Sequence, residues 1–207
     1  MNNNIDARGM DCPKPVIMTK KALDSLKEGS LTSIVDNDVA RENVSKLASS
    51  MGYDFQVEEK DGDFYVKIDK TILVGEEVKD KDLEEDEELL EGSKLKDMTI
   101  GISSDTMGSG DEQLGRILMK SFIYTVSETQ PFPSTIVFYN TGVRLTVEGS
   151  EVLDDLINLE KEGVEIISCG TCLDFLELKD KLKIGSISNM YTIYEQLKDK
   201  RSNMIIG

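Results

Sequence analysis

Cys12-Pro13-Lys14-Pro15 opens an amphipathic helix, and the reading of this stretch decides the architecture of the first third of the chain. A proline at the first helical position sacrifices no hydrogen bond, since that N–H has no intrahelical acceptor, and its fixed φ suits the helix. Pro13 is therefore predicted at that position and Cys12 at the cap, where free backbone N–H groups and the positive end of the helix dipole face the sulfur. Such a setting lowers a cysteine pKa from about 8.5 into the range of roughly 3.5–7.5, which makes the sulfur nucleophilic near neutral pH.

On either side of this stretch the pattern alternates. Ile5 and the turn Arg8-Gly9 precede a helix running from Pro13 to about Lys27, with Val16, Met18, Ala22, Leu23 and Leu26 on one face and Gly29 as terminator. Leu31 to Val35 reads as a strand, and Asp38 as the cap of a second helix carrying Val39, Val44, Leu47, Ala48 and Met51, stopped by Gly52. Tyr53, Phe55 and Val57 alternate with polar residues, as do Phe64, Val66 and Ile68, around the hairpin signal Asp61-Gly62. The order β-α-β-α-β-β predicts a two-layer α/β sandwich in which both helices cover one face of a mixed four-stranded sheet.

From about Lys70 to Lys96 the composition turns acidic, with Glu76, Glu77, Asp80, Asp82 and Glu84 to Glu88 crowded together. Like charges at this density extend a chain, so the segment reads first as a solvated linker, with an acidic docking motif as the alternative. Beyond it come a strand at Met98 to Ile102 and a helix from Asp111 to about Val126 with Leu114, Ile117, Leu118 and Phe122 inward. A buried strand at Thr135 to Tyr139 follows, then a helix capped by Ser150 and closed by Gly163, and a strand at Val164 to Ile167. A helix from Met190 to about Lys198 precedes Met204-Ile205-Ile206. Repeated βα units predict a parallel sheet covered on both faces, with reactive residues at the carboxyl ends of its strands. The expected domains are thus residues 1–69, an acidic linker at 70–96, and residues 97–207.

Composition narrows the chemistry. The chain has 207 residues, 24 Lys+Arg against 40 Asp+Glu, and a formal net charge of -16, which disfavours direct binding to a phosphate backbone. No segment approaches the roughly 18 consecutive apolar residues of a membrane span, and the N-terminus has no basic stretch followed by an apolar run. A cytoplasmic protein is expected. Three cysteines point to reactive or buried thiols rather than a disulfide framework, and the absence of histidine removes Ser-His-Asp and Cys-His catalysis and most zinc sites.

Cys169-Gly170-Thr171-Cys172 stands where the third strand of the second domain passes into a helix. This spacing brings two sulfurs close enough for one to attack while the other resolves. The bland alternative is that both are small buried hydrophobes. The loop Ser103-Ser104-Asp105-Thr106-Met107-Gly108-Ser109-Gly110 follows a strand and precedes a helix, so its N–H groups could cradle a phosphate, although its glycine spacing does not fit G-x-G-x-x-G and Asp105, Asp111 and Glu112 would repel one. It reads first as a structural turn.

The stretch Asp6-Ala7-Arg8-Gly9-Met10-Asp11-Cys12-Pro13-Lys14-Pro15 resembles the signature of the SirA/TusA sulfur-carrier family, which implies a persulfide on Cys12. The second half, with Cys169-Gly170-Thr171-Cys172-Leu173, resembles the DsrE-like family of flavodoxin-like parallel-sheet domains, with Cys169 the better match to its reactive cysteine. The combination is similar to the fused YedF family, associated with selenium metabolism. Two departures stand out: Asp11 beside Cys12, and Asp174-Phe175-Leu176-Glu177 after the cysteine pair. The resemblance implies a sulfur or selenium carrier working through Cys12, Cys169 and Cys172. It needs no cofactor beyond the transient persulfide or selenium adduct, takes its cargo from a cysteine desulfurase or another donor protein, and hands it to an acceptor protein. Self-association is common among DsrE-like relatives. A redox sensor toggling Cys169 and Cys172, and a flavin-binding module using the 103–110 loop, are the alternatives.

Overall fold

The computed structural model describes residues 3–70, 95–199 and 202–207. These fall into two compact units, one on each side of residues 71–94. Most of the acidic segment read as a linker lies outside the described residues.

The first unit contains β1 (Asn3–Asp6), α1 (Lys14–Ser25), β2 (Gly29–Val35), α2 (Asp38–Ser50), β3 (Asp54–Lys60) and β4 (Asp63–Lys70). Its four-stranded sheet has the order β1-β2-β4-β3, parallel between β1 and β2 and antiparallel elsewhere. This is the expected mixed sandwich. Leu23, Leu31, Val35, Val44, Ala48, Val66 and Ile68 form its core. The inward row of α1 is Pro15, Thr19 and Leu23, with Val16, Ala22 and Leu26 flanking it. Thr19 is buried with its hydroxyl on the Pro15 carbonyl at 2.7 Å and the Ser33 hydroxyl at 3.0 Å, so a polar pair sits in the core with its hydrogen bonds made. In α2 the cap is Asn37 rather than Asp38: the Asn37 side chain accepts from Ala40 N–H at 2.9 Å, and Asp38 is the first helical residue. Val39, expected on the buried face, is exposed.

The second unit holds β5 (Leu95–Ile102), α3 (Glu112–Glu128), β6 (Phe132–Phe138), α4 (Leu153–Lys161), β7 (Glu165–Cys169), α5 (Gly170–Phe175), β8 (Ser186–Ser188), α6 (Met190–Asp199) and β9 (Ser202–Ile206). All five strands are parallel, in the order β8-β7-β6-β5-β9. The chain steps in one direction from β5 to β8, with α3 and α4 packed side by side, then crosses back through α6 to place β9 beyond β5. Right-handed crossovers put helices made on the outward run and on the return on opposite faces. The result is the predicted parallel α/β architecture, with Ile100, Ile102, Ile136, Phe138, Leu156 and Ile167 among its fully buried side chains.

Two expectations for this unit are corrected. The inward row of α3 is Gly115, Met119 and Ile123, whereas Leu114, Ile117 and Leu118 are exposed. Gly115 sets that rotation: a Cβ there would lie 2.9 Å from Thr106 Cβ, and Met107 N–H donates to the Gly115 carbonyl at 3.0 Å, so only a glycine lets the preceding loop lie against the helix. Helix α4 begins at Leu153 with no side-chain cap, because Ser150 is drawn into a turn closed by its own N–H to the Val147 carbonyl around the left-handed Gly149.

Candidate functional site

Cys12 is exposed and stands one residue before the cap of α1. The cap is Pro13, and Pro15 takes the first-turn position where a missing N–H matters least. The expected placement of Cys12 at the cap is therefore displaced by one residue. Cys12 and Pro13 instead form the corner of a turn closed by Lys14 N–H to the Asp11 carbonyl at 3.0 Å, with a cis peptide bond between them.

That corner hangs from a tightly held segment. Ala7 is buried and donates its N–H to Ile34 O at 2.9 Å, extending the register of β1 on β2. Asp6 grips the Arg8 guanidinium with both oxygens, at 2.8 and 2.6 Å, while Arg8 reaches Asp63 at 2.9 Å. The Asp36 carboxylate accepts from Gly9 N–H at 2.6 Å, where Gly9 takes a left-handed φ of 68°. The Arg8 side chain holds the Asp6 carboxyl down at about 2, and the Gly9 N–H holds Asp36 below the usual carboxylate range. In turn, its hydrogen bonds to Asp6 and Asp63 raise the Arg8 guanidinium.

A concavity of about 280 Å³ opens beside the thiol. Met10, Pro15, Val16 and Val39 form its apolar walls and Asn37 and Asn43 its polar side. Asn43 Nδ2 lies 3.9 Å from Cys12 Sγ, the one side-chain donor aimed at the sulfur among the described residues. Sequence reading missed Asn43. Its signal was the i,i+4 spacing from Val39, which puts both on one face of α2. The arrangement offers an exposed sulfur, an amide to orient it and room for an additional atom.

In the second unit, β7 runs straight into α5, so Cys169 is both the last strand residue and the cap of the short helix. Cys169 is 1% exposed, Cys172 is half-buried, and neither forms a disulfide. The two thiols stand three residues apart at the start of α5, on one face of the helix, and Asn140 N–H donates to Cys172 Sγ at 3.1 Å. Burial pushes the Cys172 thiol up, the Cys169 thiol adds to that, and the Asn140 N–H opposes it. Asn140 begins a 3₁₀ helix, Asn140–Thr146, that follows β6, and its positive φ of 51° turns its N–H toward the cysteine. Gly142 pins this segment: a Cβ there would lie 2.3 Å from Ile102 O. No sequence signal marked Asn140, because its contribution is a backbone N–H.

The 103–110 loop adjoins this edge. Asp105 accepts from Arg116 at 3.2 Å and Arg144 at 3.5 Å, and its side chain is only 11% exposed. Asp105 N–H goes to Thr141 Oγ1, Thr106 N–H to Ser104 Oγ, and Met107 N–H to the Gly115 carbonyl. The donors at 105–107 are thus engaged within the protein. Sequence reading missed the Asp105–Arg116–Arg144 cluster, in which the carboxylate expected to repel a phosphate pairs with two arginines. Cys169 and Cys172 come together at one sheet edge, whereas Cys12 belongs to the other unit.

Residues 3–70 match the family described as Sulfurtransferase TusA. MJ0990 of Methanocaldococcus jannaschii, named as a sulfur carrier protein, is 40% identical over 68 residues, covering 32% of this chain and 91% of that protein. YrkI of Bacillus subtilis, similarly named, is 32% identical over 60 residues, covering 28% of this chain and 80% of that protein. A SirA-like protein of Desulfitobacterium hafniense, known from its crystal structure, is 47% identical, with a TM-score of 0.31, covering 35% of this chain and 97% of that one. Through residues 3–70, the unit that presents Cys12, the chain belongs to the TusA family of sulfur carriers.

Proposed function

We propose that the chain carries sulfur or selenium as a persulfide-type adduct on Cys12 and delivers it to the thiol pair of its second unit, acting in the cytosol in selenium metabolism. The observation that carries this reading is the exposed Cys12 thiol beside an open concavity with an amide donor, in a unit of the TusA family. The DsrE-like resemblance of the second half and the YedF-like fusion supply the selenium context.

The chemistry needs no histidine base. The Cys12 thiolate attacks the terminal sulfur of a persulfide on a donor such as a cysteine desulfurase. A new S–S bond forms on Cys12, the donor's S–S bond breaks, and the electron pair leaves on the donor thiolate. Asn43 donates to the sulfur while the apolar walls shield the added atom. A selenium atom would follow the same path, with Cys12–S–SeH in place of Cys12–S–SH.

Incubation with a cysteine desulfurase and cysteine, followed by mass spectrometry, is expected to show one added sulfur on Cys12 and none in Cys12→Ser. An unchanged Cys12 that nevertheless alkylates freely would refute the reading. A redox sensor built on Cys169 and Cys172 is favoured by one observation, the two free thiols three residues apart at the start of α5. It predicts that Cys12→Ser keeps its oxidation response and that wild type gains no sulfur.

A further inference from the structure

We infer that Cys172, not Cys169, is the sulfur-accepting nucleophile of the second unit, and that Cys169 is the buried thiol that discharges it. The inference rests on the carrier reading above and assigns its second site. Spacing alone favoured Cys169. The geometry reverses the order.

Three observations carry it. Cys169 is 1% exposed, enclosed as the last residue of a central strand, so a donor persulfide has no line of approach to its sulfur. Cys172 is half-buried and reachable, and it alone of the pair has a backbone donor, Asn140 N–H at 3.1 Å. That donor is held in place rather than recruited. Asn140 is fixed in a left-handed conformation, Tyr139 N–H bonds the Ile102 carbonyl at 3.0 Å, and Gly142 lies so close to Ile102 that no side chain would fit. A preorganised N–H is worth most beside a full negative charge, here on the Cys172 thiolate that must form before it attacks.

The reaction balances without an outside oxidant. Cys172 loses its proton and attacks the terminal sulfur of the incoming persulfide. The bond between the donor's two sulfurs breaks, and the donor thiolate takes up a proton. Cys172 now carries the added sulfur as a persulfide. Cys169, three residues before Cys172 on the same helix face, then attacks Cys172 Sγ. A Cys169–Cys172 disulfide forms, and the terminal sulfur departs as hydrosulfide with the proton that Cys169 gives up. The two cysteines are oxidised and the carried sulfur is reduced to sulfide. A small-molecule thiol, taken twice, restores the pair and leaves as its own disulfide. For a selenium cargo the released group is hydroselenide, the reduced form an acceptor enzyme would consume.

The test uses the full chain with sodium polysulfide as donor, which can load the second site without Cys12. After a short incubation, rapid desalting removes the polysulfide and the sulfide that loading sets free; an alkylating quench and tandem mass spectrometry then locate the added sulfur while a sulfide assay on the desalted chain follows release. In wild type and in Cys12→Ser, early samples should carry the sulfur on Cys172, and late ones a Cys169–Cys172 disulfide with one sulfide released per chain. Cys169→Ser and the smaller Cys169→Ala should both trap the persulfide on Cys172 and lose sulfide release. Cys172→Ser should gain no sulfur in the second unit. Sulfur found on Cys169 of Cys172→Ser at the wild-type rate, or release unimpaired in both Cys169 variants, overturns the inference. If polysulfide loads Cys172 but a desulfurase never loads Cys12, the carrier reading of the first unit fails while this assignment stands.

Discussion

Asn43 Nδ2 and Cys12 Sγ approach to 3.9 Å across the concavity of the first unit, joining the second helix to the corner that precedes the first. The contact is long for an amide on sulfur, so its energy is modest. Its value lies in direction, because it fixes which side of the sulfur faces the apolar walls. Replacing Asn43 with alanine is expected to slow sulfur loading of Cys12 about two- to fivefold, the equivalent of one ordinary hydrogen bond, without altering the thermal transition. Asn43→Asp should be slower still, since a carboxylate opposes thiolate formation. Loading rates from quenched mass spectrometry decide this, and equal rates in all three proteins would remove Asn43 from the site.

The segment that presents Cys12 should loosen in acid within a defined window. Asp6 is held at about 2 by Arg8, and Asp36 is held low by Gly9 N–H. Both folded pKa values lie below the unfolded carboxylate value of about 3.9, so their contribution is complete above it and is lost as pH falls toward the folded values. The Arg8 and Gly9 amide resonances should therefore hold steady down to about pH 4 and each shift below it. Asp36→Asn should abolish the Gly9 shift alone. Titration of either amide at the ordinary carboxylate value would mean that these pairs do not persist in solution.

Gly142→Ala should be disproportionately harmful for a single methyl group. Its Cβ would meet Ile102 O at 2.3 Å, and that carbonyl already accepts from Tyr139 N–H. Relief requires backbone movement, with a cost on the order of 1–3 kcal/mol. The movement would also carry Asn140 N–H away from Cys172. Denaturant melts and the alkylation rate of Cys172 should change together in this variant. A normal melt with normal Cys172 reactivity would show that the 3₁₀ segment yields easily.

Cys172 should alkylate slowly at neutral pH and accelerate at a pH above that of an ordinary thiol, since burial and then the neighbouring Cys169 thiol both raise it. Cys169→Ala removes the second contribution and should shift the profile downward. Asn140 N–H works in the opposite sense and remains in both proteins. A raised thiol is also a poor leaving group, which suits a sulfur that must hold its cargo until Cys169 attacks. A profile that moves upward in Cys169→Ala would contradict this account of the pair.

Element order was legible because periodicity reports which face is buried. The alternation at Phe64, Val66 and Ile68 and the continuous run at Thr135 to Tyr139 appear as β4 and β6. The error in α3 has one cause, the close approach of two backbones. Leu114, Ile117 and Leu118 satisfy a helical stripe as well as Met119 and Ile123 do, and only the contact of Gly115 with Met107 decides between them. Cys12 was displaced by one residue because either proline satisfies the preference for the first turn. The three cysteines could be picked out from sequence, yet their exposures, which separate their roles, could not. Donors such as Asn140 N–H have no residue-type signature at all.

The two apolar clusters have no member in common, one built around Leu23, Leu31 and Ile68 and the other around Ile100, Phe138 and Ile167. Among the described residues each interior is built from its own unit alone, so heating need not produce a single cooperative event. A quoted melting temperature for the whole chain would then be an average over two reservoirs of stability. Each could fail, be repaired or be tuned by substitution on its own schedule.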